Sequence, residues 1–265
     1  MAMLRCRIAP TPSGLLHLGN GVNFVICWVL TRRSGGQLRL RIDDGDSGRC
    51  RPEYLDDIFR QLEWLGLDWD IGPQGVTDFR ANFSQSLRLE RYQDLLARLG
   101  EHAYECGCSR KEIRARVASG VYPGFCRYKS GAKGPGARRL LVPEGTLVQV
   151  GGVAEVDLAA EMGDFILWRR DNSPAYQLAS LADDLDHGIN LIVRGADLLA
   201  SSAAQLFLAR LLAADSFAAA RFVHHDLLTD DQGQKLAKSD KALSLAVMRE
   251  QGVKPLAIYR AAAPF

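Results

Sequence analysis

A short apolar strand that runs through a proline- and glycine-punctuated turn into a helix is the feature that most restricts this chain. Residues 4–9 read LRCRIA, PTPSG follows at 10–14, and from about Leu16 to Arg33 the pattern is helical, with Val22, Val25, Ile26 and Val29 on one side. Gly35 and Gly36 end that helix. LRLRI at 38–42 alternates like a strand, and the charged loop DDGDSGRCR follows it. Pro52 opens a second helix with Glu53, Asp56 and Asp57 in its first turns; Leu55, Ile58, Phe59, Leu62 and Leu65 form its apolar stripe, and Gly66 is its stop. Another helix is predicted to run to Leu99, before Gly100. Strand, helix, strand, helix predicts an α/β fold with a parallel sheet and crossover helices.

Residues 101–163 break the rhythm: they are rich in Cys, Gly and Arg, with short candidate strands such as LLV and LVQV, and read as an insertion of another architecture. Strand-helix alternation resumes with DFILW, INLIVRGAD, a helix over 201–213 and the strand RFVHHDLL. With 47% hydrophobic residues in 265 the chain can bury a core, which excludes disorder. A net charge of +2 does not announce nucleic-acid binding, so any RNA contact has to come from a local patch. No run approaches the roughly 18 apolar residues that span a bilayer, and MAMLRCRIAPTPSG has no leader pattern, so a soluble, cytoplasmic protein is expected, without a membrane partner. Six cysteines at this length suggest reduced thiols, some of them holding a metal, rather than a disulfide framework.

Two segments carry chemistry. In PTPSGLLHLGN, residues 10–20, the strand turns into a helix whose first backbone N–H groups favour an anion. His17 can donate to a phosphate, Gly19 lets a nucleotide approach the backbone, and Asn20 shares the helical face of His17. In DQGQKLAKSD, residues 231–240, a polar loop presents Lys235 and Lys238, which could neutralise charge developing on a departing pyrophosphate. Taken singly, the first could be an ordinary turn before a core helix and the second a solvated basic loop.

Taken together, HLGN after the first strand and KLAKS after the last resemble the two signatures of class I aminoacyl-tRNA synthetases. RIAPTPSGLLHLGN, LRLRIDDGDSGR, DFILWRRDNSPAYQLASLADDLDHGINLIVRGADLL and QKLAKS each resemble, in order, a block of the glutamyl-tRNA synthetase group. The resemblance implies a Rossmann-type parallel-sheet catalytic domain interrupted by a zinc-binding α+β insertion. The expected division is a first catalytic half over 1–93, a zinc- and RNA-facing insertion over 94–175, and a second catalytic half over 176–265. It implies ATP, with Mg²⁺ on its phosphates, held by Pro12, His17, Gly19, Asn20, Lys235 and Lys238, with His17, Lys235 and Lys238 as the catalytic groups. It implies L-glutamate contacts at Arg7, Ala9, Thr11, Asp43, Tyr176 and Arg194. An arginine fork suits the side-chain carboxylate, Asp43 can hold the α-ammonium, and the Tyr176 hydroxyl can orient the ligand. The chain departs from the group at Asp43, where glutamate is usual, at Asn20, where histidine is frequent, and at Ala237, where serine is usual.

Within the group the chain resembles the short paralogues that esterify glutamate to queuosine in the anticodon arm of tRNA(Asp). Only 26 residues follow Ser239, so no anticodon-binding domain is expected, and a monomer is. CGC at 106–108 and VYPGFC at 121–126 look like the zinc site of those paralogues, which gives Cys106, Cys108, Tyr122 and Cys126 as ligands of a structural Zn²⁺. His102 and Glu105 are rival fourth ligands, and Cys6, Cys27 and Cys50 are expected to be structural. Arg110, Arg114, Arg116, Arg127 and Lys129 are candidate phosphate contacts. A synthetase of the same chemistry with another acceptor or amino acid, and a non-catalytic RNA-binding module that has kept the fold, are the alternatives.

Overall fold

Alternating arginine and leucine in the first two strands sorts into two faces once the strands pair. The computed structural model describes residues 3–46, 48–128, 136–152, 154–227 and 244–265. Packing divides the chain into two compact units, one of Met1–Leu87, Ile189–Leu198 and Ala220–Phe265, the other of Arg88–Gly188 and Leu199–Ala219.

In the first unit, β1 (Arg5–Ile8), α1 (Leu18–Arg33), β2 (Gln37–Leu40), α2 (Pro52–Leu65) and the short α3 (Val76–Asp78) follow in order. After the second unit's first segment, β8 (Leu191–Gly195) and later β9 (Arg221–His225), α10 (Leu245–Glu250) and α11 (Leu256–Ala262) return to the first unit. The sheet runs β2-β1-β8-β9 with every described pairing parallel. The chain moves outward from β1 to β2 on one side and from β8 to β9 on the other. The strand order therefore reverses between β1 and β8, and in open α/β sheets ligands bind outside the carboxyl ends of the strands at such a reversal.

Paired residues of parallel strands share a face. Arg7 pairs with Arg39, and Arg194 with His224. The Cys6–Leu191 pairing sets the parity that puts Arg194 on the Arg7 side. The opposite face, with Cys6, Ile8, Leu38, Leu40, Leu191 and Val193, joins the buried core together with Val22, Val25, Ile26 and Cys27 of α1 and Leu55, Ile58, Leu62 and Leu65 of α2. LRLRI is thus a strand with an apolar floor and a basic ceiling. Gly66 closes α2 in the left-handed region at φ 68°, as its place after the stripe predicts.

The second unit contains α4 (Leu89–Arg98), β3 (Ala103–Cys106), α5 (Arg110–Arg116), β4 (Ala137–Leu140), β5 (Leu147–Val150), β6 (Ala154–Asp157), α6 (Leu158–Glu161), β7 (Ile166–Trp168), α7 (Tyr176–Asp186), α8 (Leu199–Leu211) and α9 (Asp215–Ala218). Strands β3, β4 and β7 form an antiparallel sheet, and β5 and β6 a hairpin. DFILW therefore belongs to this antiparallel sheet and does not resume the parallel one; a three-residue edge strand carries no signal of its partner. The single helix expected up to Leu99 begins only at Leu89, after α3 and two irregular turns over 79–83 and 85–88. Helix α7, which the sequence reading passed over, buries Asp183 and Asp184 beside Leu178, Leu181 and Ala182, so acidic residues interrupt its apolar face. Asp183 accepts from Arg88 Nε at 2.7 Å and from the Tyr92 hydroxyl at 2.9 Å, which fastens α4 to α7. Among the described residues no helix is long and apolar enough to cross a membrane.

Candidate active site and candidate metal centre

The loop after β1 carries Ala9, Thr11 and Pro12, and Pro12 is buried while Thr11 is exposed. It is pinned by backbone bonds: Asp43 N donates to Pro10 O at 2.8 Å, and Arg51 N to Pro12 O at 3.1 Å. His17 then caps α1. Its Nδ1 accepts from Asn20 N at 3.3 Å, and the Asn20 Oδ1 accepts from His17 N at 3.0 Å. An accepting Nδ1 puts the proton of a neutral imidazole on Nε2. A Cβ at Gly19 would lie 3.0 Å from the His17 ring, so this glycine makes room for the capping imidazole. The first turn of α1 has no acidic side chain, which keeps its end attractive to anions. Asn20, expected as a nucleotide contact, is also the reciprocal half of this cap.

Arg7 and Arg194 lie 4% and 3% exposed on the basic face, on the two strands that flank the reversal of strand order. Asp43 follows β2 and is gripped by Arg41 through Nε–Oδ1 at 2.6 Å and Nη2–Oδ2 at 3.0 Å, with both side chains buried. Arg41 was missed by sequence reasoning, although its spacing in LRLRIDD puts it two residues before Asp43. The next carboxylate, Asp44, accepts from Ser84 Oγ at 2.6 Å and Gln85 N at 2.7 Å, which holds the loop after β2. His224, partnered with Arg194 in register and stacked on Phe222, was also missed; burial first, then the positive charge of Arg194 and the neighbouring His225, lower its pKa to about 4. Tyr176 opens α7 in the second unit and is 39% exposed. Lys235 and Lys238, with Ala237, lie outside the described residues. The described chain resumes at Ser244, which pairs with His17, while Leu245 N donates to Leu16 O at 2.8 Å.

In the second unit, Cys106 ends β3, Cys108 precedes α5, and Tyr122 and Cys126 lie beyond α5. The three thiol sulfurs lie within 4.8 Å of one another, with Cys108 Sγ 3.6 Å from Cys126 Sγ and 3.8 Å from the Tyr122 hydroxyl. Tetrahedral thiolates at a Zn–S length of about 2.3 Å stand about 3.8 Å apart, so this donor set fits the ion. His102 and Glu105 are not in the cluster found among the described residues. Burial pushes the Cys106 thiol up, and hydrogen bonds from Tyr122 and Arg139 more than offset it, leaving it below its ordinary value. Burial raises Cys108 and carries Tyr122 far above the usual phenol range, the latter assisted by Cys106. A divalent cation is the charge that reverses such resistance to ionisation. Gly163 at φ 54° lets its backbone pass under Tyr122, where a Cβ would sit 2.4 Å from the carbonyl oxygen.

The neighbouring arginines divide sharply. Arg127 donates from Nε and Nη2 to the fully buried Asp164, both at 2.7 Å, and Asp164 also accepts from Val142 N at 2.8 Å and from the Tyr104 hydroxyl. That commitment corrects the expectation of Arg127 as a phosphate contact. Arg116 covers the Phe125 ring at 3.5 Å, while Arg110 and Arg114 are exposed; Lys129 lies outside the described residues. Cys6 and Cys27 are buried in the first unit's core, and burial with the carboxylates of Asp44 and Asp46 raises Cys50 to about 11.

Residues 3–122 and 135–263 match the family described as tRNA synthetases class I (E and Q), catalytic domain. The chain is 39% identical to the Glutamyl-Q tRNA(Asp) synthetase of Nitratidesulfovibrio vulgaris, over 95% of this chain and 82% of that protein. It is 40% identical to the Deinococcus radiodurans protein of the same name, over 94% of this chain and 84% of the relative. Among solved structures, the glutamate-tRNA synthetase of Elizabethkingia anophelis superposes with a TM-score of 0.77 at 26% identity; the match covers 90% of this chain but 53% of that one, about half its length. With both signature-bearing segments inside the matched span and the relatives covered over most of their length, the chain belongs to the class I tRNA synthetase (E and Q) catalytic-domain family, in the branch named glutamyl-Q tRNA(Asp) synthetase.

Proposed function

We propose that this ligase activates glutamate with ATP as glutamyl-adenylate and transfers it to queuosine at the anticodon wobble position of tRNA(Asp). The observation that carries the reading is the placement of Arg7 and Arg194, both buried, on one face of the sheet on either side of its strand-order reversal. Two guanidinium groups there suit an anionic side chain, and the relatives, both glutamyl-Q tRNA(Asp) synthetases by name, support the acceptor. Asp43 holds the α-ammonium, Ala9 and Thr11 line the amino acid, and Tyr176 orients it. Pro12, Gly19 and Asn20 border the nucleotide.

In the first step an α-carboxylate oxygen attacks the α-phosphorus of ATP, and the bond to the bridging oxygen breaks as pyrophosphate leaves. No protein nucleophile is needed; catalysis is positioning and charge stabilisation. His17 donates from Nε2, and Lys235 and Lys238 neutralise the leaving group. Mg²⁺ arrives with ATP and shares its phosphate charge. In the second step a hydroxyl of the queuosine cyclopentenediol attacks the acyl carbon, loses its proton, and AMP departs. Cys106, Cys108, Tyr122 and Cys126 hold a structural Zn²⁺, and residues 94–175 face the RNA between catalytic halves at 1–93 and 176–265. The protein works as a cytoplasmic monomer.

ATP–pyrophosphate exchange with a panel of amino acids tests the first step. Glutamate supports exchange, and glutamine is poor, because an arginine pair left without a carboxylate costs on the order of 2–5 kcal/mol. Labelled glutamate offered with queuosine-containing and queuosine-free tRNA(Asp) tests the second. Label is expected on the queuosine-containing RNA alone, with its diol protected from mild periodate. Label on the 3′-terminal adenosine of tRNA(Glu) would make the acceptor assignment wrong.

A further inference from the structure

The metal centre has a charge imbalance, and one buried arginine faces it. Three thiolates and a phenolate around a divalent cation leave a net charge of −2, inside a knuckle where Cys106 is fully buried and Tyr122 is 3% exposed. Buried charge of that size needs compensation. Arg139, 6% exposed on β4, sets its guanidinium 4.0 Å over the Tyr122 ring. Its Nη1 donates to Asp164 O at 2.7 Å, while Asp164 N donates to Tyr122 O at 2.9 Å, so one backbone residue anchors both the arginine and the tyrosine. Nε of Arg139 is buried with no hydrogen-bond partner. The nearby carboxylate does not consume the charge: Asp164 is taken at both oxygens by Arg127. Tyr104, opposite Arg139 in the β3–β4 register, directs its hydroxyl to Asp164 as well.

We propose that Arg139 is a positioning residue of the metal centre, which favours metal binding by Tyr122 as phenolate by stacking a positive charge on its ring. The inference rests on the zinc reading given above. A guanidinium stacked on an aromatic face holds a geometry that lysine does not reproduce. The arginine also reaches Tyr122 from behind, which leaves the hydroxyl to the thiol cluster and to Cys126 N, whose N–H donates to it at 2.9 Å.

The test is zinc affinity of the full chain, measured by competition with a chromogenic chelator at fixed pH. Arg139→Met is expected to weaken binding by roughly 10- to 100-fold, the range for loss of an outer-shell partner, and Arg139→Lys by less. The decisive arm is Arg139→Met in a Tyr122→Phe background: with no phenolate to favour, the loss of zinc affinity should be several-fold smaller than in the Tyr122 protein, leaving only what Arg139 contributes through Cys106. Equal losses in both backgrounds would overturn the proposal, and so would unchanged affinity in both Arg139 variants. If Arg139→Met does not fold, Arg139→Lys carries the same cycle, with a larger loss expected in the Tyr122 background than in the Tyr122→Phe one. Wild-type protein that retains no zinc would refute the zinc reading itself, a result distinct from failure of the Arg139 step.

Discussion

Arg41 and Asp43 face each other as a two-bond ion pair, 2.6 and 3.0 Å long, with both side chains under a tenth exposed. The carboxylate assigned to the α-ammonium is therefore held by a guanidinium before any substrate arrives. Arg41→Met should destabilise the protein by about 3–5 kcal/mol, because it removes a two-bond counter-charge from a buried carboxylate. Combining it with Asp43→Leu should restore most of that stability, yet leave glutamate-dependent pyrophosphate exchange lost. Urea denaturation and exchange, measured on the same samples, separate the two roles.

The cap between His17 and Asn20 predicts a split between stability and catalysis. Asn20→Ala removes the acceptor of His17 N and should cost about 0.5–1 kcal/mol in thermal unfolding. Asn20→Asp keeps the acceptor and suits the helix end, so stability should hold or rise. It also puts a negative charge where the phosphates are proposed to bind, so the KM for ATP should rise. An Asn20→Asp protein with unchanged ATP kinetics would place the nucleotide elsewhere.

His224 gives the first unit a pH dependence. Its folded pKa is depressed from 6.5 to about 4 by burial, Arg194 and His225. Between those values the unfolded chain binds a proton that the folded chain does not, so stability is present above about pH 6.5 and is lost as pH falls toward 4. For a partly exposed ring the loss is on the order of 1–2 kcal/mol. His224→Gln should flatten the slope of unfolding free energy over that interval, and an unchanged slope would exclude His224 as its source.

Arg127 and Arg114 should behave in opposite ways. Arg127→Ala leaves Asp164 buried without its counter-charge and should cost about 3–5 kcal/mol, read by denaturation. Arg114 is exposed on α5, so Arg114→Ala should leave stability within about 0.5 kcal/mol. If α5 contacts RNA, the Arg114 change should weaken tRNA binding and lower its salt dependence by roughly one ion.

The elements that could be read from the sequence are those whose signals are local. The alternation of LRLRI, the stripe from Leu55 to Leu65 with Gly66 behind it, and the turn before His17 each specify their own conformation. DFILW could not be assigned to its sheet, since β7 pairs with β4 from across the chain and nothing in three residues encodes that partner. Arg41 and Arg139 are invisible for a related reason: an arginine in a strand shows its charge but not what faces it. Asp43, Arg7 and Arg194, like the set of Cys106, Cys108, Tyr122 and Cys126, were named through the family resemblance and carry no local signal of their own; the structure adds the pairing of β3 with β4 that ends at Cys106, and the closeness of the three thiols.

The pairing of Ser244 with His17, and the bond from Leu245 N to Leu16 O, have an evolutionary consequence. They stitch the return of the chain to the first signature through main-chain atoms alone. Packing holds the buried side chains of Leu16 and Leu245, but the bond itself needs only main-chain atoms, and only proline at 245 would remove its donor. The departure at Asn20 thus lies a few residues from a fastening whose hydrogen bond does not depend on side-chain identity.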